Sequence, residues 1–192
     1  MELRTRTKVV ILNGAPQAGK DEFAKLAQAH CNNDESANVL NLSSVDPIKD
    51  MLEGFGWNGE KTDMVRDIIS NIKKIWIDAQ NGPTTFMMYN ILEWHRQHAE
   101  EDNIVFCHIR EPEEIDKLKN VLLGMSTIGI DVMTVFIIRG GNIVNGCDAD
   151  SVRDSDNPKL ISQYPYDRII YNDGDIAEYD DKVREFINEL LD

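Results

Sequence analysis

The feature that most constrains the fold is an apolar run that passes directly into a glycine-rich turn and then into an amphipathic helix. Residues Lys8–Asn13 have the sequence KVVILN, a β-branched run typical of a buried strand. The turn is Gly14–Asp21, with the sequence GAPQAGKD. In the segment after it, Phe23, Leu26 and Ala27 recur at helical spacing. A strand, a tight turn and a helix in this order indicate an α/β protein.

The same alternation of strand and helix continues along the chain. Short apolar runs without helical periodicity predict four further strands, at residues 39–42, 103–109, 132–138 and 168–171. Helix patterns separate most of these runs, and another one lies at residues 183–191. Strands that are apolar at nearly every position belong to parallel sheets covered on both faces. We therefore predict a three-layer α/β/α fold around a central parallel five-stranded sheet.

The longest helix pattern is Thr62–Gln80, which carries an apolar stripe expected to face the core. The stripe consists of Val65, Ile68, Ile69, Ile72, Ile75, Trp76 and Ala79. We expect Gly82-Pro83 to end this helix. Thr84 or Thr85 then caps the next helix.

The composition indicates one domain and limits its partners. A chain of 192 residues with 42% hydrophobic residues is large enough for a core of its own. The formal net charge is −14, so we expect no nucleic-acid partner and no membrane partner. Three widely spaced cysteines without a C-x-x-C pattern, and no apolar run long enough for a signal peptide, predict a cytoplasmic protein. The oligomeric state stays open, with a homodimer as one alternative.

The glycine-rich turn has the pattern G-x-x-x-x-G-K, which predicts a phosphate-binding loop. Small residues and glycines let the backbone N–H groups of such a turn point inward around an anion. The helix that starts near Gly19 adds the positive end of its dipole, and Lys20 adds a full charge toward the β- and γ-phosphates of a nucleotide. The assigned residues are Gly14, Ala15, Pro16, Gln17, Ala18, Gly19, Lys20 and Asp21. The alternative is a glycine-rich turn that binds nothing.

Asp21 stands where this loop pattern has a serine or a threonine. A hydroxyl group there normally binds Mg²⁺, and a carboxylate can hold the ion directly or through a water molecule. An acidic residue in the first turn of a helix is also stabilised by the helix dipole without any metal. The two roles are compatible, and we assign Asp21 as the metal ligand.

The segment GAPQAGKD resembles the loop of small P-loop kinases in which Asp follows Lys. These are the phage-type deoxynucleoside monophosphate kinases and the related animal phosphomevalonate kinases. The segment Ser43–Lys49 after the second strand and the segment Tyr166–Gly174 at the last strand also resemble this family. The resemblance implies ATP and Mg²⁺ as cofactors, and it implies that Asn172 and Gly174 lie near the adenine.

One position departs from the family pattern. The family carries Asp-x-Arg at the end of the third strand, whereas this chain has His108-Ile109-Arg110. In the family the acid helps to hold the metal or to orient the acceptor. Either His108 has a different role here, or one of the acids Glu111, Glu113 and Glu114 replaces the missing one.

An anionic substrate on an acidic protein requires local positive charge. The candidate cations are Lys49, Lys61, Arg66, Arg110, Arg139 and Arg153. Arg110 and Arg139 directly follow apolar strands, at the ends where parallel sheets bind ligands. We expect both, together with Lys20 and Arg153, to neutralise the group that is transferred. The alternative for each cation is a solvated surface position.

Five residues are assigned to the acceptor. Lys49 and Arg66 are expected to hold the acceptor phosphate, and Lys61 with Arg66 resembles a Lys/Arg pair on the acceptor side of the family. Ser43 follows the second strand in the family-like segment. Trp57 lies beside two glycines and is the candidate for stacking on a base.

The sequence thus predicts a single kinase domain over residues 1–192, with a helical acceptor-binding region (46–100) and a lid (140–166). The expected reaction transfers the γ-phosphate of ATP to a (deoxy)nucleoside monophosphate. One alternative is a kinase of another small phosphorylated metabolite, such as the substrate of the related phosphomevalonate kinases. A second alternative is a nucleotide-hydrolysing switch that acts on a partner.

Overall fold

Five parallel strands form the central sheet in a computed structural model that describes residues 7–60, 62–139 and 164–192. The strands are β1 (Thr7–Gly14), β2 (Asn38–Ser43), β3 (Asn103–His108), β4 (Ile130–Ile138) and β5 (Arg168–Tyr171). Their order across the sheet is β2-β3-β1-β4-β5, and each neighbouring pair is parallel. The predicted parallel five-stranded sheet is confirmed.

Helices cover both faces of this sheet. They are α1 (Lys20–Asp34), α2 (Asp46–Gly54), α3 (Asp63–Gln80), α4 (Gly82–Gln97), α5 (Pro112–Leu123) and α6 (Ile176–Leu191). Helices α1 and α6 pack together on one face, and α4 and α5 pack together on the other. The three-layer α/β/α architecture is therefore confirmed. None of the described helices has the length and apolar character that a membrane crossing requires.

The central strand β1 shows why the apolar runs do not alternate with polar residues. Its residues Val10 and Leu12 belong to the core under α1 and α6, whereas Val9 and Ile11 belong to the core under α4 and α5. All four side chains are fully buried. Both faces of the strand are thus removed from water, and each position must be apolar.

The register of the sheet aligns the carboxyl ends of three strands. His108, the last residue of β3, pairs with Ser43 at the end of β2 and with Leu12 in β1. The loop after β1, the segment after β2 and the segment after β3 therefore start at one edge of the sheet. This is the edge where parallel α/β sheets bind ligands.

Helix α4 begins earlier than the sequence pattern predicts. The predicted end of α3 at Gln80 is confirmed, but the expectation that Thr84 or Thr85 caps the next helix is wrong, because α4 starts at Gly82. Asn81 alone reverses the chain, in a left-handed conformation with φ of 49°. A Cβ on Gly82 would clash with the ring of Trp76, so the glycine permits close packing of the two helices.

The apolar stripe of α3 is buried only in part, which corrects the prediction: Val65, Ile69, Ile72 and Trp76 are half-buried, whereas the rest of the stripe is exposed. Ile75 is 68% exposed and Ile68 is 39% exposed, whereas Lys73 is only 5% exposed. Helix α3 packs on α2 and α4 rather than on the sheet, so it has a narrow contact face. A buried polar contact of Lys73, described below, turns part of the stripe toward water.

Two isoleucines near the middle of neighbouring helices test this burial pattern. Ile91 on α4 is fully buried, whereas Ile75 on α3 is 68% exposed. We expect Ile91→Ala to lower the free energy of unfolding by about 2–5 kcal/mol because it leaves a cavity. Ile75→Ala should change it by less than about 0.5 kcal/mol. Urea unfolding followed by circular dichroism measures both, and equal losses would contradict the orientation of α3.

Candidate phosphate-binding site

Two glycines give the loop between β1 and α1 its shape. Gly14 has a φ of 151° and Gly19 a φ of 101°, values that residues with a Cβ rarely adopt. Space is also limiting, because a Cβ on Gly14 would lie 2.5 Å from the carbonyl oxygen of Ile137. A Cβ on Gly19 would clash with the side-chain amide of Asn172. The loop can therefore follow this path only with glycine at both positions.

Two buried asparagines hold the loop in place. The Asn13 amide nitrogen donates to the carbonyl oxygen of Arg110 at 2.9 Å and to the Tyr166 hydroxyl at 2.7 Å, while its amide oxygen accepts from Gly14 N at 2.7 Å. The Asn172 amide donates to the Ala18 carbonyl at 3.0 Å. Asn13 was not singled out from the sequence, although a polar residue that ends an otherwise apolar strand is a signal for such a role.

Lys20 is the first residue of α1, and its side chain folds back over the loop. Its ammonium nitrogen donates to the carbonyl oxygens of Gly14 at 2.6 Å and Ala15 at 2.9 Å. Among the described residues no side chain caps the start of α1, where Gly19 is the N-cap. The N–H groups at the start of α1 and the Lys20 ammonium group thus belong to the same loop, an arrangement suited to an anion.

His108 lies at the centre of a group of charged residues at this edge. Its Nδ1 is 3.8 Å from the Asp21 carboxylate. Burial lowers the pKa of His108. The nearby Asp21 and Asp46 carboxylates oppose this shift, and the Lys20 and Lys49 ammonium groups add to it. The structure thus brings three of the predicted residues, Lys20, Asp21 and Lys49, within electrostatic range of the strand-end histidine.

The start of α2 places Ser43 and Lys49 beside this group. The Asp46 carboxylate accepts from Ser43 N at 2.6 Å and from the Lys49 ammonium at 2.8 Å. The carboxylate thereby connects the end of β2 to the first turns of the helix. Lys49 is about one third exposed, so its ammonium is in contact with water as well as with Asp46.

A buried contact between Lys73, Ser44 and Glu111 joins α3 to the ends of β2 and β3. The Lys73 ammonium donates to Ser44 Oγ at 2.8 Å and to Glu111 Oε2 at 2.5 Å. Ser44 N in turn donates to the carbonyl oxygen of His108 at 3.2 Å. Lys73 was not predicted from the sequence, because a lysine among helix residues is more often solvated, and no local signal marks it.

The three acids proposed as substitutes for the missing strand-end acid lie in different surroundings. Glu111 is paired with Lys73, and its side chain is 22% exposed. Glu114 is buried and accepts from Lys117 at 2.6 Å and from Thr84 at 3.0 Å. Glu113 is exposed in the first turn of α5. Two of the three acids thus already have hydrogen-bond partners.

Of the predicted arginines, Arg110 lies two residues after β3 and Arg139 directly follows β4, and these two strands flank β1. Both are exposed. Burial raises the pKa of Tyr179, and the Glu22 carboxylate adds to this rise. The Arg139 guanidinium opposes the rise, so Arg139 is close to the Tyr179 phenol. The Tyr179 hydroxyl donates to the carbonyl oxygen of Gly19 at 3.1 Å, which brings Arg139 to the loop side of the sheet.

The remaining predicted residues are not joined to this group by the described contacts. Arg66 lies 3.7 Å from Asp63 and is 53% exposed, and the Trp57 indole donates to the Glu60 carbonyl at 2.8 Å. Gly174 is exposed. Lys61, Arg153 and the predicted lid, apart from residues 164–166, lie outside the described residues. Their roles stay predictions.

The donor set fits a divalent cation bound largely through phosphate oxygens. The Asp21 side chain is 80% exposed and carries the carboxylate oxygens that Mg²⁺ prefers. Among the described residues there is no group of three His, Cys, Asp or Glu side chains that could hold a metal ion. Most of the ligands would therefore come from a nucleotide and from water.

A groove of about 330 Å³ lies at the opposite edge of the sheet. It is lined by Lys8, Asp131 and Arg168, among others, at the amino ends of β1, β4 and β5. Parallel α/β sheets bind ligands at the carboxyl edge, where the glycine loop and the charged residues meet. We therefore assign the site to the loop and not to the groove.

No protein-family model matches the chain, and a search of curated proteins finds no match. Solved structures similar to it include the APS kinase of Mycobacterium tuberculosis in complex with AMPPNP and APS, at 16% identity and a TM-score of 0.49 over 97% of this chain and 98% of that chain. A gluconokinase from Sinorhizobium meliloti is 14% identical, with a TM-score of 0.44 over 98% and 95%. A thymidylate kinase from Ehrlichia chaffeensis is 12% identical, with a TM-score of 0.46 over 97% and 99%.

The buried ion pair of Lys73 and Glu111 yields a stability prediction. Lys73→Met leaves the partly buried Glu111 carboxylate without its cation, so we expect the free energy of unfolding to fall by about 3 kcal/mol. Adding Glu111→Leu should restore most of the loss, because it removes the unpaired charge. Lys74→Met, at an exposed neighbouring position, is the control. Urea unfolding measures all three variants, and equal effects of Lys73→Met and Lys74→Met would contradict the pairing.

Proposed function

We propose that this chain is a kinase that transfers the γ-phosphoryl group of ATP to a (deoxy)nucleoside monophosphate. The position of Lys20 carries this proposal: its ammonium group lies over the Gly14 and Ala15 carbonyls, at the uncapped start of α1. One cation and the N–H groups at the start of a helix match the charge of a polyphosphate chain. On a chain with net charge −14, such local positive charge favours a small anion over a polyanionic polymer.

Phosphoryl transfer needs positive groups around the moving phosphate and little covalent chemistry from the protein. In the proposed site the loop and Lys20 hold the β- and γ-phosphates. We expect Arg110 and Arg139, which follow the strands on either side of β1, to approach the γ-phosphate from two sides. Asp21 would hold Mg²⁺, which would offset part of the phosphate charge when bound with ATP.

The acceptor is proposed to bind on the β2 side of the loop. Ser43 and Lys49 lie there, next to His108 at the end of β3. A phosphate acceptor is already an anion at neutral pH and needs no general base. Its oxygen attacks the γ-phosphorus, the bond from this phosphorus to the β–γ bridging oxygen breaks, and ADP leaves as the acceptor becomes a diphosphate.

We propose a nucleoside in the acceptor because the loop, the Ser43–Lys49 segment and the Tyr166–Gly174 segment resemble those of the phage-type kinases. Among the described aromatic residues of the acceptor region, Trp57 is half-buried and Phe55 is 83% exposed. Either ring offers an apolar face on which a base can stack. Arg66, Lys61 and Arg153 are proposed as further cations around the two substrates.

Substitution of Lys20 tests the phosphate site. We expect Lys20→Ala to lower kcat/KM for ATP at least about 100-fold, because it removes a charge from the transferring phosphate. Lys25→Ala, at an exposed position on the same helix, should leave kcat/KM unchanged. A coupled assay for ADP release measures both variants. Full turnover by Lys20→Ala would refute the assigned site.

A panel of acceptors tests the substrate class. We expect ADP release to depend on one or more of the common ribo- and deoxynucleoside monophosphates, with little release when ATP is supplied alone. Turnover with none of them, in a protein that still binds ATP, would favour another small phosphorylated metabolite. ADP release that needs no acceptor and rises with an added protein would favour a nucleotide-hydrolysing switch that acts on a partner.

A further inference from the structure

We infer that His108 and Asp21 bind the same divalent cation, and that the imidazole shifts the preference of this site from Mg²⁺ toward Mn²⁺. The inference rests on the proposed function, because the ion enters with the nucleotide phosphates. It assigns a role to the residue that stands where the resembled family has an acid.

The two side chains come from elements that meet at the phosphate loop. Asp21 follows Lys20 in the first turn of α1, and His108 ends β3 in register with Leu12, two residues before the loop. The distance from His108 Nδ1 to Asp21 Oδ1 is 3.8 Å. A metal ion bonded to a carboxylate oxygen and an imidazole nitrogen lies about 2.0–2.2 Å from each. One ion can therefore reach both atoms.

A second imidazole–carboxylate pair among the described residues has a shorter spacing than the pair at His108. His30 Nε2 lies 2.8 Å from Asp180 Oδ1, which is a hydrogen-bond distance. The His108–Asp21 distance is too long for a hydrogen bond. The pair at the loop is thus close but not bonded, as two ligands of one ion would be.

The mobility expected of the two side chains also suits a shared ion. Asp21 is 80% exposed and can change its rotamer, whereas His108 is only 18% exposed and is held at the end of the sheet. The other carboxylate in this group, Asp46, already accepts from Ser43 N and Lys49. Asp21 is therefore the carboxylate that can adjust to an ion beside the imidazole.

The chemistry of the donor atoms sets the ion preference. Mg²⁺ prefers oxygen ligands in a near-ideal octahedron. An imidazole nitrogen suits first-row transition ions better, and Mn²⁺ also accepts the carboxylate and phosphate oxygens present here. A site with one carboxylate, one imidazole and phosphate oxygens therefore favours Mn²⁺ more than an all-oxygen site does.

Pulsed electron paramagnetic resonance of Mn²⁺ bound with AMP-PNP tests this ligand set. The wild-type protein is prepared with ordinary histidine and with ¹⁵N-labelled histidine, so that the nitrogens of the adenine do not interfere. We expect a ¹⁴N coupling from histidine that changes to ¹⁵N with the label. His108→Gln should abolish it, and His30→Gln, at the other imidazole–carboxylate pair, should keep it.

The outcomes separate this inference from the proposed function. Bound Mn²⁺–AMP-PNP without a histidine coupling would overturn the inference and leave the nucleotide site intact. Failure of the wild-type protein to bind the complex would overturn the proposed function and the inference with it.

Titration calorimetry gives the ion preference directly. The ratio of the dissociation constants of Mg²⁺–AMP-PNP and Mn²⁺–AMP-PNP should be greater than one for the wild-type protein. His108→Asp provides a second carboxylate, so we expect this ratio to fall at least about tenfold, because even loss of a residue that only supports a metal ligand typically costs about 10–100-fold in affinity. An unchanged ratio in His108→Asp would contradict a bond from His108 to the ion.

Discussion

The path of the backbone between β1 and α1 is the constraint on which the proposed site depends. Gly14 and Gly19 have positive φ angles that other residues rarely adopt, and a Cβ at either position would clash with a neighbouring group. Asn13 and Asn172 then fasten the loop with buried hydrogen bonds from two strand ends. Hydrogen bonds connect the loop region to Arg110, after β3, and to Asn172, after β5. The segments that follow several strands therefore meet at the loop.

Three contacts between a basic and an acidic side chain lie at this edge of the sheet. Lys49 contacts Asp46, Lys73 contacts Glu111, and His108 lies near Asp21. A buried pair such as Lys73–Glu111 contributes little net stability, but it costs much to break, so it holds α3 against the end of β3. On a chain with net charge −14, each cation near the loop matters for an anionic ligand.

The fold and the loop could be predicted from the sequence because their signals are local. Lys8–Asn13 is apolar at nearly every position, and the glycine spacing after it permits one kind of turn. The orientation of α3 could not be predicted, because it depends on Lys73 meeting Ser44 and Glu111, which lie far away in the sequence. The roles of Asn13 and His108 likewise depend on register, which the pattern of a single strand does not contain.

The two carbonyl contacts of Lys20 affect how tightly an anion can be held. The protein itself solvates this ammonium group, so an arriving phosphate gains only the difference between its own attraction and that of the Gly14 and Ala15 oxygens. The side chain is already ordered over the loop, which reduces the entropy lost on binding. In the proposed reaction, such an exchange of partners moderates affinity and eases the departure of the nucleotide product.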